Sequence, residues 1–223
     1  AIYRVPQVQA CHIETPGCFA YMEGRRITVV TATQTPLISR RLISDALDYP
    51  LGDIRIIKPY VGGGFGNKQD IYYEPLAAFL TQKLGGRCVA FIMTREETFV
   101  NSRTRHGMDL YIRTIYGDER FKLRQTDIAC EQGSYASHGH AVAANAITNF
   151  PHLYATDWSI GTSRSIYTNK PSGGAMRAYG IPQINFAMEA NMDDIAKLLH
   201  RDPLDFRLSN IVSYGYKDPF NGV

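Results

Sequence analysis

Two stretches concentrate residues that could do chemistry. "YVGGGFGNKQD", residues 60–70, places four glycines around a single Phe65 and ends in Lys68, Gln69 and Asp70. "NKPSGGAMRAYGIPQ", residues 169–183, sets Arg177 among small residues with Tyr179 two positions on. The first stretch fits neither standard phosphate motif. G-x-x-x-x-G-K-[ST] needs a glycine before the lysine and a hydroxyl after it, where this chain has Asn67 and Gln69. G-x-G-x-x-G fails because Gly62 and Gly64 lead to Asn67. Either the glycines close a tight turn through positive φ, or they let backbone N–H groups reach an anionic or bulky polar ligand. Arg177 either pairs on the surface or presents its planar fork to an oxygen-rich ligand. Two such loops in one chain point to a shared site between lobes.

Other candidates are weaker. His138 and His140 would share a face only on a strand, and no third ligand has matching spacing; they read as polar structural histidines, as does His12. The chain holds no G-x-S-x-G and no Ser/His/Asp or Cys/His set, so it shows no catalytic nucleophile of its own. Cys11, Cys18, Cys88 and Cys130 form no C-x-x-C pair, which argues against zinc or iron–sulfur ligation. They are too sparse for a disulfide framework and suit a reducing, cytoplasmic compartment. The net charge of +3 is too small for a nucleic-acid partner. Arg25-Arg26, Arg40-Arg41 and the run Arg103 to Arg105 are scattered and read as solvated faces. No apolar run reaches the length of a membrane span. "AIYRVPQ" at the start reads as interior sequence without a signal peptide, so the chain is expected to be a piece of a longer protein.

Composition, 44% hydrophobic and 11% aromatic, supports a sizeable core around these stretches. Strands are expected at 19–22 and 26–32, joined by a Glu23-Gly24 turn, and at 53–58 and 87–93. Thr35-Pro36 opens a helix whose Leu37, Leu42, Ile43, Ala46 and Leu47 fall near helical spacing. A second helix starts at Glu74-Pro75 and stops at Gly85-Gly86. Thr94 and Glu97 form a capping box. Residues 108–116 and 120–130 make a hairpin over Gly117-Asp118. A helix over 137–148, strands over 157–168, and a helix from about Pro182 to Leu199 follow. The last carries Ile184, Met188, Met192, Ile195 and Leu199 on one face, with Asp193-Asp194 on a solvated one. A short helix follows Asp202-Pro203. The pattern is an α+β fold of mixed sheets and packed helices, with room for two lobes meeting at the glycine loops.

The two loops, with the segments that follow them, "VGGGFGNKQDIYYEPLAAFLTQKLGGRCVAFIMTREETFVNSRTRH" and "TNKPSGGAMRAYGIPQINFAMEANMDDIAKLLHRDPLDFRLSN", closely resemble the molybdenum subunit of the xanthine dehydrogenase/aldehyde oxidase family. The resemblance is nearest to bacterial xanthine and hypoxanthine dehydrogenases. It implies that residues 1–223 are the first molybdopterin-binding domain of a larger molybdenum hydroxylase. A second pterin-binding half, 2Fe-2S clusters and FAD then lie on other domains or subunits. By position, Gln34, Gly64, Phe65, Gly66, Ala175, Met176 and Arg177 border the cofactor, with Gln34, Phe65 and Arg177 near molybdenum without ligating it. Gln69, Asn145 and Tyr179 fall at substrate positions that animal xanthine oxidases fill with Glu, Arg and Phe. These departures alter charge and hydrogen bonding while Tyr179 keeps a stacking face for a planar heterocycle. The implied reaction is hydroxylation of a purine or related N-heterocycle with water as oxygen source. Aldehyde- or nicotinate-type hydroxylation, or a non-catalytic cofactor-carrier role, are the alternatives. The family's general-base glutamate lies in its second half and has no match here, so no catalytic residue is expected in this chain.

Overall fold

Alternating burial along the strands sorts most of this chain into two four-stranded sheets, each with helices on its apolar face. The structure, a computed structural model, describes residues 1–219. In chain order the strands are β1 (Ile2–Val5), β2 (Val8–Gln9), β3 (Gly17–Glu23), β4 (Arg26–Thr31), β5 (Ile54–Ile57), β6 (Val89–Ile92), β7 (Thr104–Arg105), β8 (Met108–Gly117), β9 (Arg120–Gly133) and β10 (Thr156–Tyr167). The helices are α1 (Pro36–Leu47), α2 (Glu74–Lys83), α3 (Arg95–Asn101), α4 (Gly139–Thr148), α5 (Ile181–Leu198) and α6 (Pro203–Asn210). The chain divides into two compact units: residues 9–103, and residues 1–8 together with the chain from Thr104 onward. One unit is therefore inserted, in sequence, into the other.

In the 9–103 unit, the sheet order is β5-β4-β3-β6. β3 pairs antiparallel with β4 and β6, and β4 pairs parallel with β5. Cys18 and Ala20 of β3 are buried while Phe19 between them is exposed, so one face turns to the helices. That face, with Ile27, Val29 and Ile54, closes over Ile43 of α1 and Ala77 and Ala78 of α2. The alanines bring α2 close to the sheet. Proline in the first turn starts both α1 and α2, and α1 stops at left-handed Asp48. Thr94 caps α3 as expected: its hydroxyl accepts from Glu97 N, and Glu97 returns the bond to Thr94 N.

In the other unit, the order is β1-β8-β9-β10. β8 and β9 are an antiparallel hairpin; β10 runs parallel to β9, reached through α4. Met108, Leu110 and Ile112 of β8 face inward and meet Val142, Ala143 and Ala146 of α4 and Ile184, Met188 and Met192 of α5. Arg124 of β9 is fully buried in this core with no hydrogen bond to its nitrogens. It is instead enclosed by the rings of Phe121, Phe150 and Tyr154, at 5.3, 4.5 and 5.6 Å. Burial pulls its guanidinium down to about 10.

Several expectations shift. The hairpin turn centres on Asp118-Glu119, both at positive φ, because Gly117 still pairs with Arg120. α5 ends at Leu198; Leu199 leaves the buried stripe because His200 turns left-handed and its neighbour Arg201 bonds back to Ala196. Arg40, Arg103 and Arg105 are not simply solvated. Arg40 donates to the carbonyls of Leu51 and Ile54, and Arg103 pairs with Asp70 at 2.7 Å. Asp193 and Asp194 are exposed but bonded, to Arg207 and to the Tyr3 hydroxyl. Among the described residues no helix is long and apolar enough to cross a membrane.

Candidate functional site

In the 9–103 unit, the glycine loop is held by three side chains from distant sequence. Glu14 accepts from Gly62 N at 2.8 Å, and its own N–H donates to the Gly62 carbonyl at 3.1 Å. The Gln34 side-chain oxygen accepts from Gly66 N at 2.9 Å. His12 lies against Gly63, where an added Cβ would stand 2.9 Å from His12 Cβ with φ already at +101°. At Gly64 an added Cβ would come 2.6 Å from Gln34 Cδ. No side chain fits at either position without displacing these neighbours. Phe65 itself is left-handed, φ 54°, and 45% exposed. That conformation costs an L-residue about 1–2 kcal/mol, so the surrounding bonds must impose it.

The turn after Phe65 is stitched to the start of α1. Lys68 O accepts from Gln34 N at 2.7 Å, and Gln69 O from the Thr35 hydroxyl at 2.8 Å. Lys68 is itself buried, its ammonium 2.5 Å from Glu14 Oε2. Burial pushes the Glu14 carboxyl up, but the Lys68 and Gly62 hydrogen bonds outweigh this and leave it below its ordinary value. Burial pushes the His12 imidazole down, and the Lys68 charge adds to this. The His12 ring is buried with neither nitrogen hydrogen-bonded. The Gln69 side chain is half-buried and makes no hydrogen bond among the described residues.

In the other unit, the arginine loop joins β10 to α5. Gly173 N and Gly174 N donate to the carbonyls of Gln132 and Thr104, so Ala175 is buried and Met176 half-buried. Ala178 and Tyr179 are both left-handed, φ 67° and 49°, although neither is glycine. Side chains brace them. Arg105 donates to Arg177 O at 2.8 Å, and Asn145 Nδ2 to Tyr179 O at 2.8 Å. The Tyr179 hydroxyl lies 2.7 Å from His138 Nδ1. Arg177 is exposed, and its guanidinium has no partner among the described residues.

The structure thus groups Gln34, Gly64, Phe65, Gly66 and Gln69 in one unit, and Ala175, Met176, Arg177, Tyr179 and Asn145 in the other. Asn145 spends its amide on the Tyr179 carbonyl. His138 is at the start of α4, not on a strand, and bonds Tyr179; His140 is exposed. Sequence reading missed Glu14, Lys68 and Arg105. A lysine inside a glycine loop was the one signal, because a buried lysine requires an acid.

The fold is shared with aldehyde oxidoreductase from Desulfovibrio gigas, which superposes with TM-score 0.92 over 100% of this chain and 25% of that one, at 23% identity. The molybdopterin cofactor-binding domain family matches residues 1–211, and the chain belongs to that family. It is 45% identical, over 222 residues, to the putative xanthine dehydrogenase molybdenum-binding subunit XdhA of Escherichia coli, covering 99% of this chain and 30% of that protein. It is 34% identical over 217 residues to the nicotinate dehydrogenase large molybdopterin subunit of Eubacterium barkeri, covering 96% of this chain and 51% of the relative. The chain therefore spans only part of the length of these relatives.

The residues present fit such a cofactor. The N–H groups of Gly63, Gly64 and Phe65 make no hydrogen bond among the described residues, nor do those of Ala175, Met176, Arg177 and Ala178. Runs of bare donors in turns with positive φ suit an anionic, oxygen-rich ligand. A side chain at Gly63 or Gly64 would crowd the first run.

Proposed function

We propose that this chain is the first molybdopterin-binding domain of a molybdenum hydroxylase of xanthine dehydrogenase type, acting on a purine or related N-heterocycle. The observation that carries it is the pair of bare donor runs, 63–65 and 175–178, in a chain 45% identical to XdhA. Gln34, Gly64, Phe65, Gly66, Ala175, Met176 and Arg177 border the cofactor. When bound, that cofactor supplies the two-electron oxidation and delivers oxygen derived from water. 2Fe-2S and FAD groups on other domains or subunits would take up the electrons.

The chain's own share is positioning and electrostatics. Gln34 holds Gly66 and keeps the loop backbone bare. Arg177 offers a cation toward anionic ligand oxygens. Tyr179 gives a flat face for a heterocycle, and Gln69 offers both a donor and an acceptor for its polar edge. Asn145 acts through Tyr179, whose carbonyl it holds. The resemblance puts the general base outside this chain, so turnover is expected only of the full-length enzyme. Its four free cysteines suit a reducing, cytoplasmic compartment. The nicotinate enzyme among the relatives supports an acid-bearing heterocycle as the second reading.

The test is the full-length enzyme expressed with ample molybdate. Stoichiometric molybdenum and hydroxylation of hypoxanthine or xanthine with oxygen from labelled water are expected. Metal-free protein would overturn the cofactor assignment, and turnover confined to aldehydes would overturn the substrate class.

A further inference from the structure

Tyr179 carries a group that stacking does not need. Its hydroxyl sits 2.7 Å from His138 Nδ1, with the two rings edge to face at 5.8 Å and 79°. Both ends of the residue are tied to one element: Asn145, inside α4, holds its carbonyl, and His138, immediately before α4, holds its hydroxyl. The ring is therefore fixed in direction as well as place, on a backbone that is left-handed at two successive non-glycine residues.

We propose that His138 is a specificity-determining positioning residue, which by accepting a hydrogen bond from the Tyr179 hydroxyl leaves the phenol oxygen as an acceptor for substrate. A neutral imidazole has one accepting nitrogen, and a phenol donates well to it. The tautomer that carries its proton on Nε2 places that accepting lone pair on Nδ1, against the phenol. With its proton committed to Nδ1, the phenol oxygen keeps only lone pairs for a ligand. The ligand class follows: a planar N-heterocycle that presents a ring N–H or amino group to Tyr179. A heterocycle presenting a carboxylate or a methylated nitrogen there is disfavoured. The inference rests on the proposed contact of Tyr179 with substrate.

The test compares kcat/KM for hypoxanthine with that for its N-methylated analogues and for nicotinate, using full-length holoenzyme of equal molybdenum content. Tyr179→Phe and His138→Phe should each lower discrimination against the disfavoured ligands about tenfold. The double variant should lose no more than either alone, and His138→Gln, which keeps an acceptor, should recover most of it. The effect should fall on KM, and on the Kd of a non-reactive heterocycle, more than on kcat. Wild-type discrimination in Tyr179→Phe, or additive losses in the double variant, would overturn the role of His138. Tyr179→Ala separates the premise: if it leaves heterocycle turnover unchanged, Tyr179 does not touch substrate and the proposed binding mode fails with it. If it cripples turnover while His138→Phe keeps wild-type discrimination, only the role of His138 fails.

Discussion

The glycine loop and the arginine loop meet the same backbone demand with opposite residue choices. Both expose runs of N–H groups in turns with positive φ. Around Phe65 the chain uses glycines, because Gln34 and His12 leave no room for side chains. Around Arg177 it uses Ala178 and Tyr179 and accepts their strain, because a side chain must be displayed there. Their supports differ accordingly. The first loop is clamped by the ion pair of a buried lysine, Lys68, with the partly exposed Glu14. The second is braced by part-buried hydrogen bonds from Asn145 and His138 and an exposed one from Arg105. Strain at a functional loop persists only where its surroundings over-determine it. A loop meant to hold a cofactor can be bare and rigid, while one that must also recognise a substrate keeps side chains and needs more individual props.

Breaking the clamp should have the largest effect. Glu14→Gln leaves the buried Lys68 ammonium without a counter-ion and should cost about 3 kcal/mol, near the lower limit for such pairs because Glu14 reaches solvent. Faster hydrogen exchange across residues 60–70 and lower molybdenum content in the full-length enzyme would show it; Lys68→Met in the same background should recover part of the loss. Next, Gly63→Ala adds a left-handed alanine and a contact with His12, together about 2 kcal/mol. It should lower molybdenum retention. Asn145→Ala removes one hydrogen bond, about 1 kcal/mol, and should raise KM for the heterocycle several-fold with metal content unchanged. An equal fall in metal content for Asn145→Ala and Gly63→Ala would erase the contrast between the loops.

The smallest effect is a pH dependence confined to the clamp. Glu14 titrates lower in the folded chain than its ordinary value. Its contribution to stability is therefore complete above the ordinary carboxylate value and lost as pH falls through the lower, folded one. Exchange in residues 60–70 should accelerate only in acid, and Glu14→Gln should remove that step. An unchanged acid step in the variant would assign it elsewhere.

Local chemistry wrote much of this molecule into its sequence. Pro36, Pro75 and Pro182 mark helix starts, Thr94 and Glu97 a cap, and glycine clusters the two loops, because each signal acts within about one turn of chain. Those loops also carry the family resemblance that implies the cofactor. Tertiary structure alone decided the rest. It gave Lys68 its acid 54 residues away, Tyr179 its histidine 41 residues away, and Arg177 its brace 72 residues away. It made residues 9–103 an insertion and enrolled β1, which no local pattern announced. Such partners are set by strand register and by which elements cross over which, and no short-range propensity encodes either.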